Sequence, residues 1–286
     1  MSNAHLTVKN RKLRTMFSQG ARNIVLMFGA VTMVVPLLWV ISTAFKTQQE
    51  AIAFPPHFFP QAPTLENFVR VFTESSFMLF VMNSTIVSVS VVAGALFFCS
   101  LTGYALARYS FPGSRVFFIM VLGKIMIPTQ ILIVPLYLLV INLGMRDSLF
   151  ALIIPTELVS AFGIFMMRQF IISFPQSILD SSIIDGCSDF GTFWRIVLPN
   201  MKHALFTLGI FLFVWSWSIF LWPLIVIDSP EHVTIQVGLA RFSNQYFTEY
   251  GPKMAGVLVS IIPVLTIFLI FQRRVLESVA LSGLKE

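Results

Sequence analysis

A chain of 286 residues with 56% hydrophobic and 11% charged side chains falls far below the roughly 25% charged content of soluble domains. That excludes a soluble globular class and indicates a membrane protein. The net charge of +6 is accounted for by basic residues at cytoplasmic span ends and gives no reason to invoke nucleic acid. The two cysteines, Cys99 and Cys187, are too few for a disulfide framework.

Residues 1–23 are polar and basic, with Lys9, Arg11, Lys12, Arg14 and Arg22 and no acid. Residues 24–45 carry no charge. Since about 20 helical residues cross the hydrocarbon core, they form span 1. Residues 46–74 are a polar connection holding Pro55, Pro56, Pro60 and Pro63, with Thr64 placed to cap a short helix. Residues 75–107 are again free of charge. That is longer than one span requires, so span 2 tilts or extends past the bilayer. Arg108 and Arg115 flank a turn at residues 109–113. Span 3 follows over about residues 116–139, interrupted by Pro128 and Pro135. Span 4 covers about residues 148–172, span 5 residues 204–227 and span 6 residues 254–272, with a polar loop at 228–253 and a tail at 273–286.

The fold class is therefore all-α, with a six-span domain over residues 24–272. Thirteen of the 19 lysines and arginines fall on the side of the N-terminus, five on the other side, and Lys124 lies inside span 3. This bias places both termini in the cytoplasm. No phosphate-binding G-x-x-x-x-G-K-[ST] loop occurs. His5, His57, His203 and His232 give no metal spacing, and no nucleophile has a base at a recognisable interval.

Residues 174–203, between spans 4 and 5, differ from both neighbours. Pro175 fits the first turn of a helix. The predicted helix spans residues 177–184, with Ile178 and Ile183 on its apolar side and Asp180, Ser181 and Ser182 on its polar side. Gly186 supplies the positive φ that ends it. Asp189 is predicted to cap a second helix through Phe193, Trp194, Ile196, Val197 and Leu198, and Pro199 marks the join to span 5. A helix lying on lipid headgroups favours lysines on its polar face. Acids lead here, so a protein partner is the better reading.

The run Asp180-Ser181-Ser182-Ile183-Ile184-Asp185-Gly186-Cys187, followed by Phe193-Trp194-Arg195-Ile196-Val197-Leu198-Pro199, resembles the EAA loop of ATP-binding-cassette importer permeases. The likeness extends over nearly the whole chain, through Phe162-Gly163-Ile164-Phe165, Trp217 to Leu224, Ser229-Pro230-Glu231, Met254-Ala255 and Gly283-Leu284-Lys285. It points to the second permease subunit of the maltose-transporter-like carbohydrate group. Asp180 stands one methylene short of the family's glutamate, Ser181, Ser182 and Cys187 replace alanines, and Trp217-Ser218-Ile219-Phe220 replaces W-N-[DE]-F.

The resemblance implies a subunit without catalytic activity or a bound cofactor or metal, lying in the inner membrane. ATP and Mg2+ would sit on a dimer of partner ATPase subunits. It further implies a homologous permease completing a heterodimer, and an extracytoplasmic binding protein that delivers a carbohydrate-type solute. The ATPase-coupling residues it implies are Asp180, Ser181, Ser182, Asp185, Gly186, Asp189, Phe193, Arg195 and Pro199, with a tail that also touches the ATPase pair. An ion-driven secondary transporter is the alternative. The prolines of span 3 suit it, but the central loop has no role in it.

Lys124 and Glu157 are charges within spans, which are costly and mark function. Lys124 lies about 13 Å from the inner end of span 3 and Glu157 about 15 Å from the outer end of span 4. The two are expected to pair or to share a water-filled cavity. Trp217, Ser218 and Glu157 are the candidate pathway residues. Trp215, Trp217 and Trp222 have two readings, helix packing or a platform for sugar rings.

Overall fold

The computed structural model describes residues 2–73, 76–241 and 249–283, and for residues 2–18, 21 and 273–283 the backbone alone. Residues 284–286, the end of the tail motif, lie outside the described residues. All regular structure among the described residues is helical. By length and composition three helices qualify to cross a membrane, Arg22–Ala44, Phe77–Arg108 and Tyr250–Gln272, or up to six if each of three bent pairs is one span. The chain divides into two units, one of residues 1–74 and 245–259 and the other of residues 75–244 and 260–286.

In the first unit, α1 (Ser2–Ala44) joins the basic N-terminal segment and the first apolar run in one helix. Two short helices follow, α2 (Gln48–Ala51) and α3 (Glu66–Thr73). Thr64 Oγ1 accepts from the Glu66 amide at 3.1 Å, as a cap should. The last carbonyls of a helix lack intrahelical partners. Asn67, buried on α3, satisfies two carbonyls here, donating to Ala44 O at 2.8 Å and Lys46 O at 2.7 Å. Lys46 is buried as well. Its Nζ donates to His57 O at 2.5 Å and lies 4.5 Å from the centre of the Trp39 ring.

The second unit is built around α4 (Phe77–Arg108), against which α8 (Ala161–Ile172) and α12 (Lys202–Ser218) pack. Close approach needs small residues, as between helices in membranes. A Cβ at Gly103 would stand 2.8 Å from the Met167 Cβ, and one at Gly163 the same distance from the Cys99 Sγ. Ala95, Cys99, Tyr104, Ile164, Met167 and Leu208 form the centre of this core. The remaining elements of this unit are α5 (Ser114–Met126), a 3-10 turn at Thr129–Leu132, α6 (Ile133–Asn142), α7 (Leu149–Ile153), α9 (Gln176–Ile184), α10 (Asp189–Thr192), a π-helical turn at Phe193–Val197, α11 (Leu198–Asn200), α13 (Leu221–Val226), a 3-10 turn at Pro230–His232 and α14 (Ile235–Arg241). The final helix, α15 (Tyr250–Gly283), contributes residues to both units.

Three predicted spans are broken. Span 3 bends by 100° between α5 and the Thr129–Asn142 segment, where Pro128 has no N–H for the ladder. Span 4, expected to be continuous over residues 148–172, stops at Ile153 and resumes at Ala161. Pro155 frees the carbonyl four residues back, and that carbonyl, Ala151 O, instead accepts the Trp222 indole N–H at 2.9 Å. Span 5 stops at Ser218 and resumes as α13, because Pro223 cannot donate to residue 219 and its ring clashes there.

Candidate functional site

Two sites emerge in the second unit, the loop after α8 and a cavity among the broken helices. In the loop, α9 ends in a Schellman turn. The Gly186 amide donates to Ile183 O and the Cys187 amide to Ser182 O, both at 3.0 Å, with Gly186 at φ 79°. The cap of α10 is Ser188, not Asp189. Ser188 Oγ accepts from the Gly191 amide at 3.2 Å, which leaves Asp189 as the first helical residue, where a negative charge suits the helix N-terminus. Residues Phe193–Val197 then take a π-helical turn. Pro199 explains it, since Arg195 O has no i+4 donor.

The buried and exposed faces differ from the predicted ones. Leu179 and Ser182, not Ile178 and Ile183, face inward. Ser182 Oγ meets Thr192 Oγ1 at 3.0 Å and so ties α9 to α10. Phe193 is fully buried, 5.4 Å from the Tyr104 ring. Of the residues that the resemblance implied for coupling, Ser182 and Phe193 are thus buried within the chain and packed on its core. Asp180, Ser181, Asp185, Gly186, Asp189, Arg195 and Pro199 are exposed. So are Ile183, Ile184 at 85% exposure, and the stacked pair Phe190 and Trp194. The outward face is thus mixed apolar and acidic.

Sequence reasoning missed the end of α4. Arg108 Nη2 donates to Asp180 Oδ1 at 3.4 Å, and Gln176 Nε2 donates to the same oxygen at 3.1 Å. Next to Arg108, the Tyr109 hydroxyl is held by Asp189. Burial of the phenol, then that carboxylate, raises its pKa above the ordinary tyrosine value. The last residue of α4 and the residue that follows it thereby hold both halves of the loop. They are far from it in sequence, and only their place at the end of a span hinted at this.

The second site is a cavity of about 360 Å3. The α5–α6 bend, the α7–α8 gap and the α12–α13 break all border it, through Gln130, Thr156 and Ile219 among others. Irregular backbone at such positions is tolerated where it lines a cavity. Lys124 and Glu157 both line it, and no ion pair joins them among the described residues. Lys124 Nζ instead donates to Val159 O at 3.4 Å.

Trp217, a candidate pathway residue, does not line this cavity. It is 2% exposed, stacks on Phe213 and donates from its indole to Ser260 O at 3.0 Å. Its neighbour Ser218 borders an apolar hollow with Phe211 and Phe268 that shares Trp215 and Ile219 with the cavity. Of the three tryptophans, Trp215 is the one with ring surface to offer, 37% exposed and lining the cavity. No group of three or more His, Cys, Asp or Glu residues is placed to hold a metal among the described residues.

Comparison with known proteins agrees with this architecture. The family described as "Binding-protein-dependent transport system inner membrane component" matches residues 99–280. The arabinooligosaccharides transport system permease protein AraQ of Halalkalibacterium halodurans is 36% identical, over 90% of this chain and 93% of its own. The sn-glycerol-3-phosphate transport system permease protein UgpE of Escherichia coli is 29% identical, over 93% and 96% respectively. Among solved structures, a bacterial ABC transporter involved in the import of the acidic polysaccharide alginate superposes with TM-score 0.82 at 21% identity, covering 90% of this chain and 96% of that one. At that identity the likeness is one of fold.

Proposed function

This chain belongs to the family of binding-protein-dependent transport system inner membrane components, and from that membership we propose how its two sites work. It is a multi-pass permease subunit of an ATP-driven importer, and ATP hydrolysis belongs to a separate subunit. In our reading six spans cross the membrane: α1, α4, bent α5–α6, broken α7–α8, α12 and α15. The bias of basic residues supports cytoplasmic termini and a cytoplasmic loop at residues 174–203.

The loop is a coupling element that seats in a dimer of ATPase subunits, which carry ATP and Mg2+. The observation carrying this reading is the rigid turn at Gly186, which presents Asp180, Ile183 and Ile184 outward while Leu179, Ser182 and Phe193 fix it to the core. A rigid loop passes ATPase closure to α4 and α12, whereas a mobile one would absorb it. The cavity is this chain's share of a pathway completed by a homologous permease and supplied by an extracytoplasmic binding protein. Relatives named for arabinooligosaccharides and for sn-glycerol-3-phosphate support a carbohydrate-type solute. An ion-driven mechanism gives the loop no task.

The test is Ile184→Asp. Its side chain touches little within the chain, so the fold survives. Co-purification of the ATPase and transport-linked hydrolysis should both fall by at least about tenfold, as for a central interface residue. Retention of both would refute the docking assignment.

A further inference from the structure

We infer that the cavity between the broken helices takes a solute of no net charge, a glycosyl unit with its ring on Trp215 and its hydroxyls shared between Lys124 and Glu157. The inference rests on reading the cavity as part of the pathway and selects among the solutes that reading allows.

Charges inside a span are expensive and rare. A structural role would pair these two, yet no ion pair joins them. The Lys124 ammonium makes one long bond to Val159 O, and Glu157 has no hydrogen-bond partner among the described residues. Both heads line one cavity, which carries no other charged side chain. An anionic solute attracted to Lys124 would also meet Glu157, and a cationic one the reverse. Hydroxyls satisfy both, donating to the carboxylate and accepting from the ammonium. Thr129, Gln130 and Thr156 add further neutral donors and acceptors.

The aromatic part of the argument is independent of charge. The Trp217 and Trp222 indoles donate to backbone carbonyls, so both rings are held in place as packing. Trp215 makes no such bond, is more than a third exposed and also borders an adjoining hollow with Lys124 and Glu157. A free indole face beside two unpaired charged heads suits the apolar face and hydroxyl rim of a sugar ring. The volume of about 360 Å3 lies within the range of small-molecule sites, about 300–1,000 Å3.

The test uses the whole transporter, with Cys99 and Cys187 changed to Ser and Gln130 to Cys, in proteoliposomes. Labelling by an anionic methanethiosulfonate (ethylsulfonate) is compared with a cationic one (ethyltrimethylammonium), each normalised to free cysteine. The expected result is no charge preference. Lys124→Gln should then favour the cation, and Glu157→Gln the anion, by about tenfold each. Maltotriose should slow labelling, trigalacturonate should not, and Trp215→Phe should abolish the protection. Anion preference in the parent, with protection by trigalacturonate, overturns the inference and leaves the pathway reading standing. The inference also falls if neither charge variant alters the preference, or if maltotriose gives no protection. If neither reagent reaches position 130 in any nucleotide state, the pathway reading itself fails. ATPase co-purification checks assembly for every variant, and Lys124→Arg, which keeps the charge, should show no charge preference in labelling.

Discussion

Arg108, the last residue of α4, bonds Asp180 on α9, Nη2 to Oδ1 at 3.4 Å. The Arg108 side chain is mostly enclosed while that of Asp180 is 56% exposed. The acid is thus held by its own chain on one side while most of its carboxylate stays open on the outer face of the loop. A long pair whose acid is open to solvent adds no more than about 1 kcal/mol to stability, so its value lies in position. Arg108→Ala should leave the complex assembled and its melting temperature almost unchanged. Binding-protein-stimulated ATP hydrolysis should fall several-fold, and Arg108→Lys should recover much of it. A melting temperature that drops in step with activity would make Arg108 a structural residue only.

Gly186 sets the angle between α9 and α10. Its φ of 79° is strained for any residue with a Cβ, by about 1–2 kcal/mol. A Cβ there would touch nothing, so the cost is one of backbone alone. Gly186→Ala should therefore reduce coupling moderately. Gly186→Pro, whose ring requires φ near −65°, should abolish it, as read by solute-stimulated ATPase activity in proteoliposomes.

That turn was legible in sequence because the chemistry is local. A glycine two residues past a short amphipathic segment needs no tertiary knowledge to interpret. Span 2 was legible for a similar reason: its charge-free run, residues 75–107, coincides with α4 to within two residues at the start and one at the end. The break in span 4 was not, because residues 148–172, whose only charges are Glu157 and Arg168, read as one apolar run whether or not the helix continues. Pro155 was the available signal. Nor was the inward face of α9 legible. The choice of Leu179 and Ser182 over Ile178 and Ile183 is made by the neighbours, Thr192 and the core beneath α4. The burial of Trp217 was not legible either, because it depends on a distant partner for the indole N–H, here a carbonyl of α15.

Trp222 and Pro155 form a matched pair. The proline strips Ala151 O of its helical donor, and the indole replaces it at 2.9 Å. Trp222→Phe preserves most of the ring volume and leaves that carbonyl unsatisfied in a buried setting. The expected loss is about 1–3 kcal/mol, visible as a lower melting temperature of the detergent-solubilised protein. Trp222→Phe combined with Pro155→Ala should recover part of it, since an amide at 155 returns the missing donor. Independent, additive losses would show that the two sites do not share that carbonyl.

Asp147 gives the structure its clearest pH dependence. It sits at φ 56°, and its Oδ1 accepts from the amides of Asp228 and Ser229 and from the Ser229 hydroxyl, each at 3.0 Å. The Ser229 amide is the largest influence holding its carboxyl below the ordinary aspartate range; burial opposes it, and the Asp228 amide and the Ser229 hydroxyl add to the lowering. A depressed pKa means that the folded state prefers the ionised form. The stabilisation is complete above the unfolded-state value of about 3.9 and is lost as pH falls through the lower folded value. Parent protein should thus lose stability steeply on the acid side of pH 4. Asp147→Asn tolerates the positive φ and keeps one acceptor oxygen but cannot ionise. It should start less stable at pH 7, and its melting temperature should depend less on pH between 5 and 3. Identical acid profiles for the two proteins would place the titrating group elsewhere.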